Sequence, residues 1–163
     1  MGMFDKFKQM ANAVTGGGAT VSVQLHPVNE AGAMPVVVTA VVGGTDVSVS
    51  SVYVKLRGLE VMQVDPKKAL GRFRSQLDGA EQLFRKGNTI EVKEESFETQ
   101  VQLSGAESLS AGETYTWEGE VRLPAGAPGS FRSTHMRHSI QIQAGLDAPG
   151  NDPDSGWIDV EVG

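Results

Sequence analysis

Strict alternation of apolar and polar residues is the feature that most limits what this chain can fold into. In GETYTWEGEVRLP (112–124), Tyr115, Trp117 and Val121 share one parity, and the even-numbered residues between them are threonine and glutamate. A period of two is typical of a β-strand with one buried face. Pro124 cannot donate a hydrogen bond to a neighbouring strand, so it predicts the end of this one.

The same period recurs along most of the chain and predicts seven to nine strands. The run at 35–42 is apolar on both parities, which predicts a central strand covered on both faces. A change of phase at Ser50-Ser51 predicts a bulge, a bend or a switch between sheets. With 20 glycines and seven prolines available for turns, the pattern predicts an all-β protein, an immunoglobulin-like sandwich of two antiparallel sheets. The predicted strands lie at 19–26, 35–42, 46–56, 89–92, 97–103, 112–123, 136–146 and 157–162.

The N-terminus has a different period. Met3, Phe7, Met10 and Val14 recur at helical spacing, and glycines follow them. Residues 1–18 are therefore predicted to be a short amphipathic helix with a glycine linker, and residues 19–163 the sandwich domain. We expect the helix to pack on the domain, because most helical stability comes from burying an apolar face. A membrane-binding or partner-binding helix is the alternative.

Regular alternation stops near residue 58, and residues 60–88 form a basic insert in an acidic protein. Leu70, Phe73 and Leu77 have helical spacing, so a solvated helix or a long loop is the simplest interpretation. A docking surface for an acidic partner is the alternative. The cationic side chains that would form it are Lys67, Lys68, Arg72, Arg74, Arg85 and Lys86.

Composition excludes several functions. The formal net charge of −6 argues against binding to nucleic acid or to anionic membranes. The absence of cysteine excludes disulfides, thiolate zinc sites and cysteine nucleophiles, and it fits a reducing compartment. Asp5, Lys6 and Lys8 interrupt the apolar run that a signal peptide needs, and no stretch is long enough to span a membrane. We therefore expect a cytoplasmic protein without stable membrane insertion.

The sequence contains no motif for catalysis or for a cofactor: it has no G-x-S-x-G, P-loop or dinucleotide fingerprint. His135 and His138 have the look of a metal-binding pair, but three residues along a strand place side chains on opposite faces. His138 lies on the apolar parity and is predicted to be a hydrogen-bonded histidine in the core. We expect neither an enzyme nor a cofactor.

The aspartate-rich stretch DAPGNDPDSG (147–156) is the best candidate for a metal site. Asp147, Asp152 and Asp154 fall within a short span, but Gly156 stands where a calcium loop needs a further ligand. Aspartate, asparagine, glycine and proline are also the usual residues of tight turns. A turn is the preferred interpretation, and a weak calcium site is the alternative.

Three stretches are distinctive in their order and spacing. They are VSSVYVKLRG (49–58), SAGETYTWEGEVRLPAGAPGSF (110–131) and MRHSIQIQAGLDAPGNDPDSGWIDVEV (136–162). The second combines an alternating strand with the spacing Leu123-Pro124 to Pro128-x-Ser130. Together they resemble the arrestin-like sandwich family, in particular its bacterial sporulation-control proteins, over most of residues 19–162. The resemblance implies a single arrestin-like domain.

The resemblance also implies a non-catalytic regulatory scaffold that binds other proteins through strand edges and loops. A ligand-binding sandwich for carbohydrate or calcium is the alternative, with Trp157 as the one aromatic residue on a polar parity. Open sandwiches leave unpaired edge strands, and ESFETQVQLS (95–104) has little charge beyond Glu95 and Glu98 to protect it. We expect a homodimer formed through this segment or the adjacent basic insert.

Overall fold

The computed structural model describes residues 14–16, 18–65 and 89–162 and confirms an all-β sandwich. These residues form eleven strands and no helix, so no helix among them is long and apolar enough to cross a membrane. The strands are β1 (Val14–Gly16), β2 (Ala19–Leu25), β3 (Met34–Val42), β4 (Val47–Val49), β5 (Ser51–Val64), β6 (Ile90–Ser104), β7 (Glu107–Leu109), β8 (Thr114–Val121), β9 (Phe131–Arg132), β10 (Met136–Asp147) and β11 (Ile158–Val160).

Two antiparallel sheets form the layers of the sandwich. The first has the strand order β1-β2-β3-β8, and the second has the order β11-β10-β5-β6 with β9 also paired to β10. Strands β4 and β7 form a separate two-stranded sheet. Strand β10 lies over β2, and β6 lies over β8. The core lies between the layers, and both contribute fully buried side chains, among them Val21, Met34, Val36, Val38, Leu56, Ile140, Ile142 and Leu146.

Alternation explains which face of each strand is buried. In β10 the even-numbered residues from His138 to Leu146 are buried, while Arg137 and the residues up to Gln143 on the other parity are more exposed. Burying one valine, leucine or isoleucine stabilises the fold by about 1.5–3 kcal/mol. A slip of one residue would expose the whole buried set, so the alternation also fixes the register.

Strand β3 is central but is covered on one face only, which corrects the prediction for residues 35–42. It pairs with β2 on one side and β8 on the other. Val36 and Val38 face the core and are at most 1% exposed, whereas Val41 on the other parity is 48% exposed. The sandwich has only two layers, so the outer valines of β3 reflect the preference of branched side chains for strands and not burial.

The change of phase at Ser50-Ser51 is a switch between sheets, one of the three predicted causes. Strand β4 pairs with β7, and β5 pairs with β10 and β6. The amide of Ser50 donates to the carbonyl oxygen of Asp147 at 2.8 Å, and its hydroxyl donates to the carboxylate at 2.6 Å. This fixed break lets Val49 and Val52 both reach the core although their parity differs.

Strands β5 and β6 extend farther than the sequence predicted. The strand that was predicted to end at residue 56 continues to Val64, and it pairs with β6 up to Ile90. The segments 89–92 and 97–103, predicted as two strands, form the single strand β6. Alternation is not visible there, because the apolar residues at 59–64 of β5 fall on both parities and four of the five residues at 91–95 of β6 are charged. The long pairing nevertheless continues the regular structure. Residues 66–88 lie outside the described residues.

The N-terminal strand β1 also differs from expectation. It pairs with β2, with Thr15 opposite Thr20, at a position where the sequence predicted the end of a helix and a glycine linker. Gly18 has a φ of +94°, a conformation that glycine adopts without steric cost, so the chain can turn sharply between the two strands. The rest of the predicted helix, residues 1–13, lies outside the described residues, and its packing stays a prediction.

Two β-bulges interrupt β6. Gly58 is opposite Phe97 while the next residue of β5 is opposite Glu95, so Ser96 is an extra residue in β6. A second shift leaves Leu103 without a partner in β5. Bulges bend a strand, increase its twist and change the direction of its side chains. Both bulges lie on the strand at the edge of the second sheet.

Candidate interaction surface

The outer side of β6 is the longest unpaired strand edge in the part of the chain that the structure describes. Strand β6 has 15 residues and pairs with β5 on one side only. Strand β8 ends the first sheet and lies beneath β6, so both open edges are on the same side of the sandwich. An unpaired edge presents N–H and C=O groups that can bind another strand. The prediction that residues 95–104 form an edge strand is confirmed.

Carboxylates dominate the first half of this edge. Glu91 is paired with Lys93, whose Nζ lies 3.0 Å from Oε1, and the hydrogen bond from Lys93 lowers the pKa of Glu91. Glu94, Glu95 and Glu98 form no ion pair within residues 18–65 and 89–162. The edge is therefore negatively charged, which favours a partner that brings lysine or arginine.

A buried histidine lies behind the first bulge. His138 is 2% exposed, with Nδ1 3.0 Å from the carbonyl oxygen of Gly129 and Nε2 2.8 Å from Oγ of Ser96. A carbonyl oxygen can only accept, so Nδ1 carries a hydrogen, and in the neutral imidazole Nε2 then accepts from the Ser96 hydroxyl. The ring also stacks on Phe131, with centroids 5.9 Å apart and planes at 16°. The prediction of a hydrogen-bonded core histidine is confirmed.

Ser96 and His138 have the connectivity of a serine nucleophile and its general base. His138 is only 2% exposed, however, and its Nε2 lies so close to Gly58 that a Cβ at this glycine would be 2.7 Å away. The pair therefore satisfies buried polar groups and fixes the bulge, and it links β6 to β10. Sequence reasoning selected His138 by its parity but missed Ser96, because a bulge residue follows no alternation.

The loop at 123–130, which carries the Leu-Pro and Pro-x-Ser spacing, supports this histidine. Its Gly129 provides the carbonyl oxygen that accepts from His138. The amide of Ser130 donates to the carbonyl oxygen of Val162 at 2.7 Å, and its Oγ accepts from the amide of Val162 at 3.2 Å. The loop thus ties the segment after β11 to β10, which gives the spacing a structural role.

The aspartates of the 147–156 stretch accept hydrogen bonds from their own turn. Oδ1 of Asp152 accepts from the amide of Ala148 at 3.0 Å, and Oδ1 of Asp154 accepts from the amide of Gly156 at 2.7 Å. The carboxylate of Asp147 accepts from the serine at the switch between sheets. Within the described residues, no group of three or more metal-ligating side chains could hold an ion. These hydrogen bonds fit the preferred interpretation as a turn, and the weak calcium site stays a prediction.

The same carboxylates act on Tyr53 of β5. This side chain is 9% exposed and covers Gly145 of β10, where an added Cβ would lie 2.9 Å from Cε2 of the ring. Burial raises the pKa of Tyr53, and the negative charges of Asp152, Asp154 and Asp147 raise it further. The aspartate-rich turn therefore favours the neutral phenol.

Trp157 is covered on one face by an arginine. The guanidinium of Arg57 lies 4.1 Å from the centroid of the indole ring, and its Nε donates to Oε1 of Gln141 at 2.8 Å. A sugar that stacked on this face would have to displace a cation–π contact worth about 0.5–2 kcal/mol. The aromatic residue that motivated the carbohydrate alternative is thus already engaged.

His135 lies apart from His138. It precedes β10, its carbonyl oxygen accepts from the amide of Gln63 at 2.7 Å, and it lines a surface cavity with Val61 and Arg137. These neighbours are on the outer parity of the second sheet, whereas His138 faces the core. His135 precedes the strand, so the parity argument that separated the two histidines does not apply to it.

The basic docking surface predicted in the insert falls outside the described residues, and it stays a prediction. This applies to all six of its cationic side chains: Lys67, Lys68, Arg72, Arg74, Arg85 and Lys86.

The fold is similar to that of a solved protein, the sporulation control protein Spo0M from Bacillus subtilis. The superposition has a TM-score of 0.54 and covers 90% of this chain and 49% of the other, at 13% sequence identity. The chain therefore spans about half the length of the Spo0M structure. At this identity the likeness shows the fold, an arrestin-like sandwich of the Spo0M type, which confirms the resemblance seen in the sequence.

A structural genomics target, SoR45 of the Northeast Structural Genomics Consortium, aligns over 92% of this chain and 85% of its own. Its TM-score of 0.30 and identity of 7% are too low to support an argument. No protein-family profile matches the sequence, and no curated protein matches it either.

Proposed function

We propose that this chain is a non-catalytic regulatory protein of the cytoplasm that binds other proteins by accepting a strand at the free edge of β6. The observation that carries the proposal is the length of that edge, 15 residues paired on one side only. Added strands gain main-chain hydrogen bonds along such an edge and derive specificity from alternate side chains. The fold shared with Spo0M, a sporulation control protein, supports a regulatory role.

A second copy of the chain is one partner that fits this edge. In an antiparallel pair of β6 strands related by a two-fold axis at Gln100, Glu98 would lie opposite Gln102, and Phe97 opposite Leu103. No two glutamates would then meet directly, and like charges that meet directly destabilise a strand pair. Two-fold dimers are the commonest homo-oligomers. A homodimer therefore belongs to the proposal.

The test compares proline substitutions on the two open edges. Gln100→Pro removes one amide from β6, and Thr116→Pro makes the same change on exposed β8 as a matched control. Circular dichroism first establishes that both variants keep the strand content of the wild type. Light scattering then measures self-association, and affinity purification from native lysate measures binding of other proteins.

We expect Gln100→Pro to lose dimers or bound proteins that the wild type and Thr116→Pro retain. A wild type that stays monomeric and recovers no protein would refute the proposal. Binding that survives Gln100→Pro unchanged would place the interface away from β6. No observation in the described residues favours the alternative of a carbohydrate or calcium ligand.

A further inference from the structure

The second sheet extends beyond the first and leaves part of its inner face open. Strands β5, β6 and β10 have 14, 15 and 12 residues, whereas β2, β3 and β8 have 7, 9 and 8. Three large apolar side chains near the overhanging end are exposed: Met62 by 42%, Val92 by 49% and Phe131 by 43%. We call this area the apolar shelf.

Strand register places the shelf residues on one face. Met62 is opposite Val92 in β6 and Met136 in β10, and Val64 is opposite Ile90. These positions have the same parity in β5 as Leu56, which is fully buried in the core. The shelf therefore continues the inner face of the sandwich past the point where the first sheet covers it.

The bulge at Ser96 is what creates the shelf. Beyond it, even-numbered residues of β6 face inward, whereas on the other side odd-numbered residues such as Phe97 do. Without the extra residue, Glu91 and Lys93 would face inward, and Ile90 and Val92 would face solvent. The bulge thus turns two apolar side chains onto an uncovered face, and exposed apolar patches of this kind mark interaction sites.

Two carboxylates lie beside the shelf on the same inner face. Glu60 is directly opposite Glu94, and neither forms an ion pair within residues 18–65 and 89–162. Glu60 is half-buried. Like charges directly opposite on neighbouring strands destabilise the pair. A cationic group brought by a partner would relieve the repulsion, so the shelf offers an apolar surface with a site for lysine or arginine at its border.

We infer that the apolar shelf binds an amphipathic helix of a partner protein that carries lysine or arginine next to its apolar face. Three strands about 4.8 Å apart give a surface roughly 10 Å wide, which matches a helix about 10–12 Å in diameter. From Glu60 to Val64 the shelf is about 13 Å long, which corresponds to two or three helical turns. This surface is distinct from the outer edge of β6, so the inference does not depend on strand addition.

The probe is a synthetic helix of about 18 residues made of leucine, lysine and alanine, with leucines at i, i+3, i+4 and i+7 and lysines beside them. Fluorescence anisotropy measures its binding to the full chain. Val92→Lys should weaken binding about tenfold or more, because it removes a buried apolar contact and adds a like charge. Val41→Lys is the matched control: Val41 is 48% exposed on the other sheet, and its substitution should leave binding unchanged.

A second pair of variants tests the charges. Glu60→Gln combined with Glu94→Gln should weaken binding several-fold and reduce its dependence on salt. Glu118→Gln combined with Glu120→Gln removes the same charge from β8 and should have no such effect. In the free protein, Glu94→Gln should raise the melting temperature or leave it unchanged, because it removes a repulsion.

Several results would overturn the inference. The first is that the probe helix does not bind the wild type. The second is that a probe with glutamate in place of lysine binds equally well, and the third is that the probe binds Val92→Lys as tightly as the wild type. Loss of binding in Gln100→Pro would assign the probe to the strand edge instead. Dimers of the wild type that Val92→Lys dissociates would make a second copy the occupant. A lower melting temperature for Glu94→Gln would mean that a cation of this chain already occupies the site.

Discussion

Substitution of Gly58 by alanine tests whether the link between Ser96 and His138 depends on the space that glycine leaves in β5. A Cβ at this position would lie 2.7 Å from Nε2 of His138, 2.5 Å from Cε1 of Phe97 and closer still to Oγ of Ser96. Real Cβ atoms essentially never approach other heavy atoms within 3.0 Å. At least one of the three neighbouring groups must therefore move.

The expected loss of stability follows from these contacts. Overpacking of a filled site usually costs about 1–3 kcal/mol. If Ser96 is the group that moves, Nε2 of His138 loses its donor while buried, which costs about 1–3 kcal/mol in a typical case. Alanine in a strand gains about 0.5–1 kcal/mol over glycine. We expect Gly58→Ala to lower the free energy of unfolding by about 1–4 kcal/mol, or the melting temperature by roughly 2–4 °C per kcal/mol.

Urea denaturation followed by circular dichroism is the assay, with Gly44→Ala as the control. Gly44 is in a turn, its φ is not positive, and nothing lies within 4 Å of an added Cβ. This variant should keep the stability of the wild type or gain about 0.4–1 kcal/mol, because alanine restricts the unfolded chain. Equal slopes with respect to urea establish that the midpoints compare the same transition.

A Gly58→Ala variant as stable as Gly44→Ala would refute the reasoning. A double-mutant cycle with Ser96→Ala locates the cause. If the alanine methyl group displaces Ser96, the serine substitution should cost less in the Gly58→Ala background than in the wild type. Additive losses would show that the added methyl group acts on Phe97 instead.

Three further predictions concern other parts of the fold. Because the pKa of Tyr53 is raised, the folded protein keeps the phenol proton at a pH where the unfolded chain loses it, so this contribution to the free energy of unfolding is complete below about pH 10 and falls above it. Tyr53→Phe should reduce the fall in urea midpoints between about pH 9 and 11, and a fall equal to that of the wild type would contradict the prediction. Ser155 is 1% exposed and its Oγ accepts from the amide of Ala144, so Ser155→Ala should lower the free energy of unfolding by about 1–3 kcal/mol in urea titration. Leu56→Ala should lower the free energy of unfolding by about 2–5 kcal/mol, whereas Met62→Ala on the exposed shelf should change it by less than about 1 kcal/mol. Equal losses for the two variants would mean that the shelf is covered.

Alternation predicted the fold wherever burial is one-sided. The even-numbered residues of β10 are a clear case, because a polar and an apolar face leave no ambiguity of register. The prediction that both faces are covered failed for residues 35–42, since the sequence does not distinguish exposed valines on the outer face of β3 from buried valines on its inner face. It also failed beyond residue 58, where the apolar residues of β5 fall on both parities and the strand continues through its pairing with β6 and β10.

The candidate surfaces were only partly predictable. The edge at 95–104 could be recognised, because an open sandwich must have edges and this segment has few protective residues. The apolar shelf could not, since the bulge at Ser96 inverts the parity of Ile90 and Val92. A bulge is set by the partner strand and by contacts such as the one with His138, which are distant in sequence. The end of β8 was also predicted too late: Pro124 placed it at residue 123, whereas the strand ends at Val121.

The two bulges give the edge of β6 a defined length. Between Ser96 and Leu103, the ladder with β5 runs without interruption for residues 97–102, which is about 20 Å of strand. Fibril growth requires flat strands that stack without limit, and a strand bent at both ends of so short an interval is a poor template for it. Between the bulges, roughly six consecutive residues of β6 keep regular strand geometry. The two bulges therefore divide the 15-residue edge into short segments, and open-ended stacking is disfavoured by the backbone geometry and not only by side-chain charge.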